Sequence, residues 1–287
     1  MLIITGATGQ LGRQIAELLL TKVPPTEIGL SVRDETKVSQ KLRESGVRIR
    51  LGSYDNPESL AFSFENATRV LIISSNGSSD PISSHKNAID AAKVVGATRI
   101  IYTGHMAAAS NSLFPPMITH AATKKLLEDS GVDFTFLANG FYMESLMWLI
   151  GEGFKTGIIA APLDGPISWT AHEDLAAAAT AALIADDFDD FNVSLTGSEA
   201  LNLDDVAKIV TELTGRNIKR VVISDEEYIE KLTNLGLPKF RIDISMGLFR
   251  AARRGEFVSV DPTLEKILGR NPVNVREHLA SNIQSFE

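Results

Sequence analysis

The stretch TGATGQLG, Thr5 to Gly12, constrains the fold of this chain more than any other. It follows the apolar run Leu2-Ile3-Ile4 and opens an amphipathic one, Ile15 to Leu20. A strand that turns into a helix through three glycines, Gly6, Gly9 and Gly12, points to a dinucleotide-binding turn. Gly6 permits the tight turn, Gly9 lets a pyrophosphate approach the backbone, and Gly12 lets helix pack closely on strand. The amide groups around Thr8, Gln10 and Leu11 then face the phosphates at the positive end of the helix dipole. A purely structural turn is the alternative, and the βαβ setting argues against it.

The following residues keep that rhythm. Leu2–Thr5, Ile28–Val32, Val47–Arg50, Val70–Ile73, Arg99–Thr103 and Phe134–Leu137 read as strands. Helical stretches lie between them, near Gln10–Thr21, Lys37–Ser45, Pro57–Phe64, Pro81–Val95 and Met117–Ser130. Apolar strands alternating with helices predict an α/β fold, a doubly wound parallel sheet. After about Gly140 helices dominate, at Glu173–Ile184, Leu203–Leu213, Asp225–Leu235, Arg241–Arg254 and Val275–Phe286, with strand-like runs at Phe191–Thr196 and Val221–Ser224. The expected division is a nucleotide-binding domain over 1–150 and a smaller, mostly helical substrate-side cap over 151–287. No flexible linker separates them.

Composition removes several function classes. Acidic residues outnumber basic ones, 36 to 28, for a net charge of −8, which argues against nucleic acid or anionic membrane as partner. Cysteine is absent, so thiol catalysis and thiolate metal sites are excluded. The five histidines lack metal-ligand spacing, and no metal is expected. With neither a signal peptide nor a membrane span visible, a cytoplasmic location is expected.

The sequence TGATGQLG resembles the short-chain dehydrogenase/reductase superfamily, in its extended and atypical branches. VPPTEIGLSVRD, GSYDNPESL, NAIDAAKVVGATRIIYTG, FTFLANGFY and LEKILGRNPVNVREHL narrow the resemblance to the NmrA-like group. That group includes NAD(P)H:quinone oxidoreductases and triphenylmethane-dye reductases, and the resemblance covers nearly the whole chain.

At the end of the second strand stands Arg33, where an acidic residue would grip the ribose diol of NAD. A guanidinium suits the 2′-phosphate of NADP, so NADPH is expected over NADH. Arg13 stands ready to add charge, and Asp34 is expected to cap the next helix. Ser74, Ser75 and Thr103 at strand ends, with Asn139 and Phe141, complete the expected cofactor set. Dehydrogenases of the superfamily use Tyr-x-x-x-Lys; here HAATKK puts His120 at the tyrosine position and Lys124 at the lysine. The resemblance implies that Lys124 holds the nicotinamide ribose and that His120 or water supplies a proton.

Without the tyrosine, alcohol oxidation and sugar epimerisation are poorly served, whereas hydride transfer to a conjugated acceptor asks less of the protein. Met106, Phe114, Met117 and Tyr142 are the expected substrate wall. The partner is then a small aromatic or quinone-like molecule, and a homodimer is left open. Two functions remain: an NADPH-dependent reductase of quinone-like or conjugated aromatic acceptors, and an NmrA-type dinucleotide-sensing regulator that binds a partner protein without turnover.

Overall fold

The computed structural model describes residues 1–75, 78–151, 153–186, 188 and 191–283. In chain order the first elements are β1 (Leu2–Thr5), α1 (Gln10–Leu19), β2 (Ile28–Val32), α2 (Gln40–Glu44), β3 (Arg48–Leu51) and α3 (Pro57–Ser63). There follow β4 (Arg69–Ile72), α4 (Pro81–Val94), β5 (Arg99–His105), α5 (Pro115–Ser130) and β6 (Asp133–Asn139). The remainder is β7 (Phe141–Tyr142), α6 (Glu144–Ile150), α7 (Gly153–Thr156), β8 (Ile158–Ala161), β9 (Ile167–Thr170), α8 (His172–Ile184) and β10 (Asn192–Leu195). It closes with β11 (Ala200–Leu201), α9 (Leu203–Thr214), β12 (Lys219–Val222), α10 (Asp225–Asn234), α11 (Lys239–Arg253), α12 (Thr263–Leu268) and α13 (Val275–Ile283). The part of the last expected helix beyond residue 283 lies outside the described residues.

Seven strands form the main sheet in the order β10-β6-β5-β4-β1-β2-β3. The pairs β1–β2, β1–β4, β2–β3 and β4–β5 are parallel. Ile3, Ile4, Val70, Leu71, Ile100 and Ile101 are fully buried, as a parallel sheet covered on both faces requires. Strand order reverses between β1 and β4, so the carboxyl ends of those two strands border the crevice where such sheets take ligands.

The chain divides into two compact units and passes between them repeatedly. The first is Met1–His105, Thr119–Ala138 and His172–Ser194; the second is Met106–Ile118, Asn139–Ala171 and Leu195–Glu287. The expected single division near residue 150 is therefore corrected. Helix α8 packs against α1, and β10 joins the main sheet beside β6, which places 172–194 with the nucleotide-binding elements. Small side chains allow that close helix contact: Ala176, Ala178, Ala179 and Ala182 are buried on α8.

The second unit has its own apolar core, including Phe141, Met143, Leu146, Val206, Met246, Phe249 and Phe257. Two small sheets, β11-β9-β7 and β12-β8, brace its helices. Among the described residues, no helix is long and apolar enough to cross a membrane.

Candidate functional site

The three glycines at the end of β1 do three different things. Gly6 has φ of 63°, a left-handed conformation that glycine adopts without strain, and its carbonyl accepts from the Gly9 amide at 3.0 Å. A Cβ on Gly12 would lie 2.3 Å from the Gly6 oxygen and 2.9 Å from Ile73 Cδ1, so only glycine lets α1 seat there. Gly9 is different. Its φ is −85°, and a Cβ would meet nothing nearer than the Gly6 oxygen at 3.4 Å. The fold itself accepts a side chain at Gly9, so packing within the chain does not require glycine there.

The start of α1 supports the same conclusion. Gly9 provides no side-chain cap, and the first turn holds no acidic residue. By contrast Ser39, Asn56, Asp80, Asn202 and Ser224 cap α2, α3, α4, α9 and α10. The first-turn amides of α1, at Gln10, Leu11 and Gly12, thus face no competing carboxylate, and Thr8, Gly9 and Gln10 are exposed. Open amides at the positive end of a helix suit a pyrophosphate.

Arg33 follows β2 and is exposed, as is Arg13 on α1; among the described residues neither forms an ion pair. Asp34 does cap the next turn, accepting from the Thr36 amide at 3.0 Å and bonding its hydroxyl, which leaves the neighbouring guanidinium uncommitted. Those bonds hold the Asp34 carboxyl below the usual carboxylate range. Tyr54 donates to the Ile73 carbonyl at 2.9 Å and bonds the Thr5 hydroxyl, closing the β1 and β4 ends together. Burial pushes the Tyr54 phenol up, against the opposing effects of its bond to Thr5 and of the Arg33 charge.

Ser74 and Ser75 stand at the end of β4, partly exposed, with both amides engaged. The Ser74 amide donates to Thr103 Oγ1 and the Ser75 amide to His85 Nε2, each at 2.9 Å. Thr103 is fully buried, so the expectation that it touches cofactor is corrected: it positions the Ser74 backbone instead.

On α5, His120 lies deep, with Tyr102 Oη 3.0 Å from its Nδ1 and the His105 ring stacked 6.2 Å away. Burial, with smaller contributions from His105 and His85, lowers the imidazole to about 3. His120 is therefore neutral across the physiological range. Lys124, one turn on, does not join it. Its ammonium donates to Asn192 Oδ1 at 2.9 Å and sits 5.2 Å from the Phe136 ring centroid. The flexible lysine stem reaches a carboxamide on β10, so sharing a helix face with His120 does not give the two ends a common target.

In the second unit, Phe141 packs against Trp169, Phe257 and Phe114 at centroid distances of 5.4, 5.3 and 5.8 Å. Phe114, Phe141 and Met117 are largely buried in that core. Met106 and Tyr142 remain partly open. The Met106 amide donates to the Asn139 carbonyl at 2.9 Å, and the Asn139 side chain bonds the Tyr142 hydroxyl. Burial raises the Tyr142 phenol. Among the described residues no group of three metal-ligating side chains comes together.

Sequence reasoning missed Tyr54, His85 and Tyr102. Their only signal was polarity out of place: a phenol within the apolar strand RIIY and a histidine on the inner face of α4.

A model of the NmrA-like family matches residues 1–281. The chain is 30% identical over 281 residues to quinone oxidoreductase 2 of Escherichia coli (strain K12), covering 98% of each. It superposes with TM-score 0.90 on a crystal structure of an NADPH-dependent quinone oxidoreductase from Escherichia coli complexed with NADPH, at 28% identity over 100% of this chain and 99% of the other. The triphenylmethane reductase of Citrobacter sp. complexed with NADP(H) gives the same TM-score and identity over 98% of this chain and 99% of that one. The chain belongs to the NmrA-like family.

Proposed function

We propose that this chain is an NADPH-dependent reductase that passes hydride to a quinone-like or conjugated aromatic acceptor. The observation that carries it is the uncapped start of α1 above Gly9, a cradle the fold leaves open and a pyrophosphate fills. Arg33 and Arg13 are the groups that take the 2′-phosphate, because both are exposed and neither is spent on an ion pair among the described residues. Quinone and dye reduction are the activities named for relatives that match along nearly their full length.

When bound, the nicotinamide supplies the hydride, and reduction of a quinone to its hydroquinone takes that hydride and a proton from water. The residues of this chain bind and orient. The amides of Gln10, Leu11 and Gly12 would hold the pyrophosphate. His120, neutral and buried, offers a ring N–H to developing charge on the acceptor.

The test is isotopic. NADPH deuterated at the transferred position, with a triphenylmethane dye and the purified protein, should give a leuco dye carrying deuterium on its central carbon, read by mass spectrometry. A leuco dye without deuterium would show that hydride does not pass directly, and no reduction at all would favour a binding protein without turnover.

A further inference from the structure

Inside the first unit, two hydroxyls and one peptide tie the carboxyl ends of β1 and β4 together. The Ile73 amide donates to Thr5 Oγ1 at 2.9 Å, and Tyr54 Oη donates to the Ile73 carbonyl at 2.9 Å. Thr5 Oγ1 and Tyr54 Oη lie 2.5 Å apart, and the Leu71 carbonyl lies 3.0 Å from Thr5 Oγ1. Thr5 is buried and Tyr54 and Ile73 are half-buried. Both polar groups of the Ile73 backbone are therefore held, one by β1 and one by the segment that follows β3.

The glycine turn rests on the same residue. A Cβ on Gly6 would lie 3.2 Å from Ile73 Cβ, and one on Gly12 would lie 2.9 Å from Ile73 Cδ1. Both glycines back onto this one side chain, so where Ile73 sits decides where the turn sits. The Tyr54 hydroxyl is not needed to hold its own segment. Asn87 Nδ2 donates to the Tyr54 carbonyl at 2.8 Å, and the Ser53 amide donates to Ser59 Oγ at 3.0 Å. What the hydroxyl adds is the fixing of the Ile73 peptide.

We propose that Tyr54 is a positioning residue for the pyrophosphate of the dinucleotide: its hydroxyl, with that of Thr5, fixes Ile73 and through it the glycine turn before the ligand arrives. This rests on the NADPH reading above, and not on turnover. An anion held by backbone amides binds tightly only if they already converge, because any freedom they keep is lost on binding. The glycines that make the turn close-fitting also leave it soft. Within it the Gly9 amide donates to the Gly6 carbonyl at 3.0 Å, and Gly9 has no side chain to cap α1. Ile73 supplies support from outside the turn, and Tyr54 acts on the ligand through it.

Calorimetric titration of Tyr54→Phe, which keeps the ring and removes only the oxygen, tests this. NADPH, NADH and ADP all carry a pyrophosphate, and each should bind about five to ten times more weakly, with the ratio of NADPH to NADH affinity unchanged. Adenosine 2′-monophosphate has no pyrophosphate and should keep its Kd within about twofold. In the cofactor-free variant the Gly9 amide should exchange its hydrogen faster than in the native protein. Thr5→Val should reproduce this pattern, Thr5→Ser should bind as the native protein does, and either Tyr54→Phe or Thr5→Val alone decides. Native Kd values for NADPH, NADH and ADP would overturn the proposal. So would equal losses for ADP and adenosine 2′-monophosphate, which would mark a general loosening of the fold. Failure of both Tyr54→Phe and Thr5→Val to fold would assign these bonds to the fold alone and overturn it as well. The expected losses in a protein that binds NADPH but reduces no acceptor would sustain the proposal and remove the reductase reading alone. A native protein that binds no NADPH would overturn both.

Discussion

The Lys124 ammonium donates to Asn192 Oδ1 at 2.9 Å, tying α5 to the strand at the edge of the main sheet. A half-exposed bond of this kind contributes about 1 kcal/mol to stability. We expect Lys124→Ala to lower the unfolding midpoint slightly and to leave the NADPH Kd within about twofold of native. Calorimetric titration decides: a large loss of cofactor affinity at unchanged stability would return Lys124 to the nicotinamide ribose.

Gly9 and Gly12 should separate folding from binding. A Cβ on Gly12 meets the Gly6 carbonyl oxygen at 2.3 Å, whereas one on Gly9 meets it at 3.4 Å. Gly12→Ala should destabilise by about 1–3 kcal/mol, the usual cost of forced overpacking. Gly9→Val should unfold at nearly the native temperature and fail to bind NADPH. A folded Gly9→Val protein with native affinity would place the pyrophosphate elsewhere.

Arg33 is the residue we expect to set the choice of cofactor. Loss of a charge-assisted bond to phosphate costs about 1.5–3 kcal/mol, so Arg33→Ala should weaken NADPH binding at least about tenfold. NADH, which has no 2′-phosphate, should bind as before. Equal Kd values for the two cofactors in the native protein would contradict the assignment.

Buried histidines make the fold acid-sensitive. Burial lowers His85 and His172 to about 4 and His105 and His120 to about 3, against 6.5 in the unfolded chain. Below 6.5 the unfolded chain binds protons that the folded chain refuses, so stability falls with falling pH until each folded value is reached. Each histidine costs about 1.4 kcal/mol per pH unit in that window. Urea unfolding should give a level free energy from about pH 7 to 8 and a steep decline between about pH 6 and 4.5. A level free energy down to about pH 5 would mean that these rings stay accessible to protons.

The apolar strands of the nucleotide-binding half were legible because each is a short continuous run: β1 and β2 lie at Leu2–Thr5 and Ile28–Val32, the expected bounds. The glycine turn and the capping role of Asp34 were legible for the same local reason. Membership of β10 in the main sheet was not, since four residues carry no mark of which strand they pair with. Nor was the fate of Phe114, Met117 and Phe141, because a core position and a pocket wall ask for the same side chains. The ring chain from His85 to His120 depends on three elements meeting, and periodicity carries no signal for that. Lys124 shows the limit of a motif: spacing places a Cα, while a partner such as Asn192 decides where the charge goes.

Acceptor-dependent oxidation of NADPH separates a reductase from a protein that only binds the dinucleotide. Purified protein, without added flavin or metal, is mixed with NADPH and a panel of small quinones and triphenylmethane dyes, and absorbance is followed at the nicotinamide band. Loss of absorbance should require both protein and acceptor, be slower with NADH, and fall sharply in Arg33→Ala at low NADPH. Secondary alcohols with NADP⁺ should give no reverse signal, because His120 stands where a catalytic tyrosine would be. A folded protein that binds NADPH yet shows no acceptor-dependent loss across the panel would contradict the account.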